Sequence, residues 1–332
     1  MNTLAKKAVL YEDATKSWRL VEGDALAVLA GLPEHSVDAV VTDPPYGIRI
    51  AGEAWDGTAI RRAPGAEGLG PGEAFERWTQ AWAEHCHRVL KPGGHLLAFG
   101  SPRTFHRLVA GIEDAGLEVR DQILWLYGQG MPKSRRLPGG LGTTLKPAYE
   151  PILLARKPIC GRTIENIETF GTGALNIDAT RIASTTRSEG YWPADVALSH
   201  SPDCPVGLLD GDRAGPSRLF YCAKATRLER EAGCDELPLR SIQLYTGKRQ
   251  SPRLVRNLHP TVKPVELMRW LVRLVAPPGG VVVDPFCGSG STGIAAVLEG
   301  RQFLGVEREP AYVEIACARL AHWAREAARE SL

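Results

Sequence analysis

Two short turns in this 332-residue chain hold the residue types that could do chemistry. The first is Asp284-Pro285-Phe286-Cys287-Gly288-Ser289-Gly290-Ser291-Thr292-Gly293, which follows the apolar run Val281-Val282-Val283, so that residues 288–293 read G-x-G-x-x-G. Glycines at this spacing let the backbone approach a ligand closely, and the helix that follows offers free N–H groups. A carboxylate closing the next strand can then accept both hydroxyls of a ribose. Glu307, 19 residues after Gly288, stands at that place. Taken alone, the pattern suits a nicotinamide dinucleotide as well as S-adenosylmethionine, and a plain packing turn also uses such glycines.

The second turn, Asp43-Pro44-Pro45-Tyr46, ends the apolar run Val37–Thr42. An exocyclic amine on a nucleobase is a poor nucleophile because its lone pair is delocalised into the ring. Two acceptors, one on each N–H, would draw the nitrogen toward tetrahedral geometry and concentrate that lone pair. Asp43 supplies a carboxylate and Pro44 a carbonyl, and the ring of Pro45 restricts Pro44 to an extended conformation that fixes the carbonyl's direction. Tyr46 offers an aromatic face for a base drawn out of a duplex. In isolation an Asp-Pro-Pro-Tyr reads as a rigid strand-end turn.

Elements able to hold these turns alternate along the chain as strands and helices, the α/β pattern. Residues 73–90 read as a helix with Phe75, Trp78, Trp82 and Val89 inward, stopped by Lys91-Pro92-Gly93-Gly94. A strand at 95–99, a helix at 102–115 and a strand at 121–126 follow. A second series comprises a helix at 264–275 with Leu267, Met268, Leu271, Val272 and Val275 on one face, strands at 281–284 and 302–307, a helix at 291–299 and a last helix from Pro310. Residues 56–72, with five glycines, two prolines, Arg61 and Arg62, read as a mobile loop that is either plain surface or closes over such a duplex and its extruded base. From 157 to about 247 the periodicity fades, which marks an insertion.

Taken in order, these motifs resemble the S-adenosylmethionine-dependent amino-methyltransferases of DNA, in the circularly permuted β group whose catalytic motif precedes the cofactor motif. Asp43–Tyr46 matches the catalytic tetrapeptide and Asp284–Gly290 the cofactor loop. His259-Pro260-Thr261-Val262-Lys263-Pro264 matches the segment that holds the methionine end, and Gly23-Asp24-Ala25 the segment at the cofactor adenine. Lys91–Gly94 and residues 145–157 are further landmarks, and the likeness covers roughly residues 18–160 and 255–320. It implies a doubly wound, mostly parallel sheet of the Rossmann-like methyltransferase fold. The catalytic half would be 1–157, an inserted target-recognition region 158–252 and the cofactor-binding half 253–332. Asp43, Pro44, Pro45 and Tyr46 would be catalytic. S-adenosyl-L-methionine would be held by Asp24, Ala25, Thr261, Lys263, Asp284, Phe286, Cys287, Gly288, Ser289, Gly290 and Glu307. Asp at the first tetrapeptide position leans toward adenine N6 in this family, where Ser leans toward cytosine N4. A hydride-transfer enzyme would use the glycines and Glu307 but leave the other two motifs idle, and a DNA-binding protein without activity would leave the cofactor loop idle.

Double-stranded DNA is thus the expected partner, although 40 Lys+Arg against 38 Asp+Glu leave a net charge of only +2. Charge is unevenly spread: residues 131–163 hold seven basic residues against one acid, and residues 240–273 hold eight against one. Phosphate contacts need such clusters. Lys133, Arg135, Arg136, Arg218, Lys224, Arg249 and Arg253 are the candidate DNA contacts, with Tyr221 and Arg227 beside them. A homodimer and a cognate restriction enzyme are further partners the resemblance admits. Seven scattered cysteines without a C-x-x-C pair point to a reduced, cytoplasmic protein, and the resemblance implies a bacterial or phage origin with association to the nucleoid. His85-Cys86-His87 points in different directions on a helix, so no metal is expected. No apolar run reaches membrane-spanning length, and no membrane partner is expected.

Overall fold

The computed structural model describes residues 9–127, 137–184, 187–199, 220–242 and 253–330. Its strands are β1 (Val9–Glu12), β2 (Trp18–Glu22), β3 (Val37–Thr42), β4 (Leu90–Phe99), β5 (Glu118–Tyr127), β6 (Tyr149–Arg156), β7 (Val196–Ser199), β8 (Phe220–Tyr221), β9 (Arg240–Ile242), β10 (Arg253–Val255), β11 (Val281–Asp284) and β12 (Gln302–Glu307). The helices are α1 (Ala25–Ala30), α2 (Thr58–Arg61), α3 (Pro71–Val89), α4 (Phe105–Asp114), α5 (Thr163–Phe170), α6 (Ile177–Thr180), α7 (Arg227–Glu231), α8 (Val265–Val275), α9 (Ser291–Leu298) and α10 (Pro310–Glu330).

Strands buried on both faces read as continuous apolar runs. β3 is buried along its whole length and β11 nearly so, and the two pair in parallel at the centre of a ten-stranded sheet. The order is β1-β2-β12-β11-β3-β4-β6-β5-β7-β8, with β9 and β10 paired separately. Only β1 and β6 run antiparallel to their neighbours in the large sheet. From β11 the chain continues to β12 on one side, and from β3 to β4 on the other, so strand order reverses between β3 and β11. Ligands of doubly wound sheets bind in that crevice.

Alternation along β3 sorts its side chains into two cores. Ala39 and Val41 join α8, α9 and α10 on one face, and Val40 joins α1, α3 and α4 on the other. α8 buries the five expected residues and also Trp270 and Leu274, because Trp270 stacks on Phe220 of β8 at 5.2 Å. Through β7 and β8 the irregular region adds strands to the edge of the sheet beside β5.

Two local expectations need correction. The helix ends at Val89, just before residues 91–94 as their types predict, but the strand expected at 95–99 already begins at Leu90 and runs through them. Tertiary bonds decide this: the Gly93 N–H donates to the Lys157 carbonyl at 3.1 Å, and Lys91 Nζ pairs with the buried Asp38 of β3 at 2.6 Å. A Cβ on Gly93 would lie 2.6 Å from Asn166 Nδ2, and φ is +78°, so glycine is required for this close approach. The second correction concerns residues 56–72, which are not a bare loop. They form α2, bury Asp56, Ile60 and Ala66, and pack on α3.

Candidate active site

Parallel pairing of β3 with β11 brings Thr42 and Asp43 out of the sheet beside Asp284. A cavity of about 300 Å³ opens there, walled by residues 23–26, 43–46 and 284–289 with Thr261, Lys263 and Glu307. Every expected catalytic residue and every expected cofactor residue except Gly290 therefore lies on one cavity; Gly290 sits behind the wall as the N-cap of α9. Ile50, Trp55, Ala59, Ile60, Ala63 and Pro64 close a further side, so the segment expected to cover DNA walls this same cavity.

Backbone polar groups explain how the glycine turn keeps its shape. Glu307 accepts from the Gly288 N–H at 2.8 Å and from the N–H groups of Arg308 and Glu309 at 2.8 and 2.9 Å. Burial raises the Glu307 carboxyl above its ordinary value, and those backbone bonds pull it back. Oε1 takes two of these three bonds and Oε2 one, so of the roughly four lone-pair sites of the carboxylate about one stays open, on Oε2. A Cβ on Gly288 would lie 2.6 Å from His259 Nε2, and φ is +53°, so the turn approaches His259 as only glycine can. His259 packs edge-on against Tyr312 at 4.6 Å, and burial draws its pKa down to about 3, so it is neutral at physiological pH. The Cys287 thiol is buried and held well above its ordinary range by that burial, then by Asp284 and Glu307.

Asp284 has more work inside the protein than in the cavity. Oδ1 accepts from Thr42 Oγ1 at 2.6 Å and the Phe286 N–H at 3.0 Å, and Oδ2 accepts from Thr292 Oγ1 at 2.7 Å. It thereby ties β3, β11 and the start of α9 together. Phe286 turns its ring toward Trp78 and Trp82, with centroids 5.4 and 5.6 Å away, giving the cavity an aromatic wall that the helical reading of α3 assigned to core alone. Asp24 caps α1, accepting from the Ala27 N–H at 3.2 Å, and Ala25 follows it on the wall.

The tetrapeptide is clamped at its Tyr46 end by residues that sequence reasoning missed. Thr104 Oγ1 donates to the Tyr46 carbonyl at 2.7 Å. Buried Asp56 accepts from the Gly47 and Ile50 N–H groups at 2.8 and 2.6 Å. Tyr46 Oη donates to Asp43 Oδ1 at 2.7 Å. Lys263, expected at the methionine end of the donor, lies on the cavity wall and also pairs with the tetrapeptide: its Nζ lies 2.5 Å from Asp43 Oδ2 and 3.3 Å from Glu150 Oε2. Burial is the largest influence on Asp43 and raises its carboxyl above the ordinary range, with Lys263 opposing and Glu150 adding to the rise. Another missed residue, Arg319, is fully buried in α10 and donates to the Ser289 carbonyl at 2.5 Å. Its signal was legible: Tyr312, Ile315, Ala316 and Leu320 put position 319 on the inward stripe of the helix.

The basic clusters are less available than their sum suggests. Arg156 and Lys157 are buried, the first against Glu118 at 2.7 Å and the second against the Leu90 carbonyl at 2.8 Å. Lys263 is buried on Asp43, while Arg269 and Arg273 reach Glu299 at 2.7 and 3.6 Å. A count along the chain cannot distinguish such internal pairs from a phosphate-binding face. Of the candidate DNA contacts, Lys224 is exposed and rests 3.4 Å from the centroid of the Tyr127 ring, and Arg253 is exposed on β10. Lys133, Arg135, Arg136, Arg218 and Arg249 lie outside the described residues. Among the described residues no three His, Cys, Asp or Glu converge as a metal site, and no helix is long and apolar enough to cross a membrane.

A doubly wound, mostly parallel sheet whose strand order reverses at one cavity is the Rossmann-like methyltransferase fold. The N6/N4-type family described as DNA methylase matches residues 37–318, and the chain belongs to that family. It is a DNA methyltransferase of the N6/N4 type, in a family whose methyl donor is S-adenosylmethionine. It is 24% identical over 345 residues to the type II methyltransferase M.HindIII of Haemophilus influenzae, covering 91% of this chain and 94% of that protein. It is 22% identical to the type II methyltransferase M.HinfI of Haemophilus influenzae, covering 91% and 67%. Among solved structures, PvuII DNA methyltransferase (cytosine-N4-specific) superposes with a TM-score of 0.56 at 17% identity, covering 94% of this chain and 93% of that one, a likeness of fold.

Proposed function

We propose that this chain methylates the N6 amine of adenine within a specific sequence of double-stranded DNA, with Asp43, Pro44, Pro45 and Tyr46 as the catalytic turn. The observation that carries this reading is the placement of that turn and the Gly288 turn on one cavity. Asp at the first tetrapeptide position supports adenine over cytosine. Residues 158–252 act as the target-recognition region between the catalytic and cofactor-binding halves, and Lys224 and Arg253 contact DNA. A homodimer, a cognate restriction enzyme and a cytoplasmic setting belong to the same reading.

The cavity suits S-adenosylmethionine in three respects. Phe286, Trp78 and Trp82 offer aromatic faces to an adenine, Glu307 keeps one acceptor site on Oε2 for a ribose hydroxyl, and the Gly288 turn admits close backbone approach. When bound, S-adenosylmethionine supplies an electrophilic methyl group on a sulfonium. Asp43 and the Pro44 carbonyl accept the two N–H bonds of the target amine and hold its lone pair toward the cavity, while Tyr46 supports the extruded base. Asp24, Thr261 and Glu307 orient the donor.

Two measurements test this. Plasmid DNA methylated by the protein and digested to nucleosides should contain N6-methyladenine; N4-methylcytosine alone would overturn the choice of base. Glu307→Ala should weaken S-adenosylmethionine binding by about 1–3 kcal/mol in calorimetry, through a lost ribose acceptor and a loosened Gly288 turn. Unchanged affinity would remove Glu307 from the cofactor site.

A further inference from the structure

Three charged side chains from three separate elements meet beside the tetrapeptide. Lys263, just before α8, reaches Asp43 after β3 at 2.5 Å and Glu150 of β6 at 3.3 Å. Two tyrosines complete the cluster: Tyr46 Oη donates to Asp43 Oδ1 at 2.7 Å, and Tyr127 Oη donates to Glu150 Oε1 at 3.2 Å. Lys263 also lies over the Phe99 ring at 4.8 Å. The lysine side chain is 7% exposed, that of Asp43 16% and that of Glu150 20%. Two carboxylates thus share one ammonium in a largely dry site.

We propose that Lys263 is a positioning residue for Asp43 and that Glu150 is the second carboxylate of the active site, the lysine being shared so that Asp43 stays ionised and aimed when the target amine arrives. This rests on the reading of Asp43 as the amine acceptor. An amine N–H coming to Asp43 must displace or share a partner that Asp43 already has. Lys263 can yield its place because Glu150 is already within reach, so no buried ammonium is stranded. Burial opposes the charge of Lys263, but Asp43 and Glu150 outweigh it and hold the ammonium above its ordinary value. Burial likewise keeps both tyrosines protonated, as donors rather than acceptors of negative charge. The other charged or titratable groups facing the cluster are Lys224 beside Glu150, Asp284 beside Asp43 and His259 beside Lys263. Glu150 stands inside the landmark at 145–157, where the sequence assigned no role to any single residue.

The test is the single-turnover methylation rate of the full chain on plasmid DNA, from about pH 5 to about pH 9.5, with S-adenosylmethionine affinity measured in parallel. An opposite charge within 4–6 Å lowers a carboxyl pKa by roughly 1–3 units, and a like charge raises it. Lys263→Met should therefore move the acid limb of the rate upward by at least about one pH unit, with activity recovering at high pH and cofactor affinity within about twofold. Glu150→Gln keeps the shape of the side chain and should move the limb the opposite way, to lower pH. In the double variant the upward shift of Lys263→Met should shrink. Lys263→Arg should restore the wild-type limb. An unshifted limb in both single variants, or weakened cofactor binding as the main effect of Lys263→Met, would overturn the proposal. If Asp43→Asn itself kept the wild-type rate, the catalytic reading of Asp43 would fail instead.

Discussion

Asp43→Ala should lower the single-turnover rate of methyl transfer by about a hundredfold to a thousandfold or more, the scale on which removing one preorganised electrostatic group acts. The cofactor affinity should stay within about twofold, because no hydrogen bond of Asp43 holds the Gly288 turn. Its two oxygens are bonded to Tyr46 and Lys263, whereas the Gly288 turn is held by Glu307 and the Phe286 N–H by Asp284. Removing Asp43 leaves Lys263 with Glu150 as its remaining counter-ion, so the ammonium keeps a partner and the fold survives. Asp43→Asn separates charge from geometry. It retains one acceptor oxygen but loses the charge that an amine becoming cationic requires, and it should fall between Ala and wild type. Rapid-quench measurement of labelled methyl in DNA, beside calorimetry of S-adenosylmethionine, reads both quantities. A rate within tenfold of wild type in the Ala variant would remove Asp43 from the chemistry.

The elements that hold the site were legible where a residue's surroundings follow from its neighbours in the chain. β3, β11 and β12 read as strands because apolar β-branched runs end at turn residues, and the observed bounds of all three agree with that reading. The two turns were legible because glycine and proline constrain the backbone locally. Other features depend on partners far away in sequence. Lys263 lies 220 residues from Asp43, and nothing in His-Pro-Thr-Val-Lys-Pro announces a carboxylate partner. The role of Asp56 in clamping Gly47 and Ile50 was hidden within a glycine-rich stretch whose composition argued for mobility. β6 enters antiparallel between β4 and β5, and that direction follows from topology rather than from any property of Tyr149–Arg156. The charge surplus misled for a related reason: Arg156, Lys157 and Lys263 are counted as basic, yet each is buried on an internal acceptor.

Asp284 should make the protein less stable as pH rises from about 4 to above about 6, and substituting it should remove that dependence. Burial pushes its carboxyl from 3.8 up to about 6, against the pull of Thr292, Thr42 and the Phe286 N–H. Between those values the folded chain holds a proton that the unfolded chain has lost. The group therefore contributes stability that is present in full below the unfolded pKa and is lost as pH rises through the folded one. A shift of this size corresponds to about 3 kcal/mol. Asp284→Asn stays neutral throughout and can meet both threonine hydroxyls, which rotate to donate or accept. Relative to wild type it should gain stability steadily from pH 4 to pH 7, read as the difference between urea-unfolding free energies of the two proteins at each pH. A difference independent of pH would mean that the ionised carboxylate carries no burial penalty. Asp284→Ala should be less stable than Asp284→Asn by about 2–4 kcal/mol, since it orphans Thr42, Thr292 and the Phe286 N–H together. Those three bonds also set the distance between the turn at Asp43 and the turn at Gly288. Even where Asp284→Ala remains folded, its methylation rate should fall further than its cofactor affinity, because displacement at the methyl group is sensitive to shifts of about 1 Å.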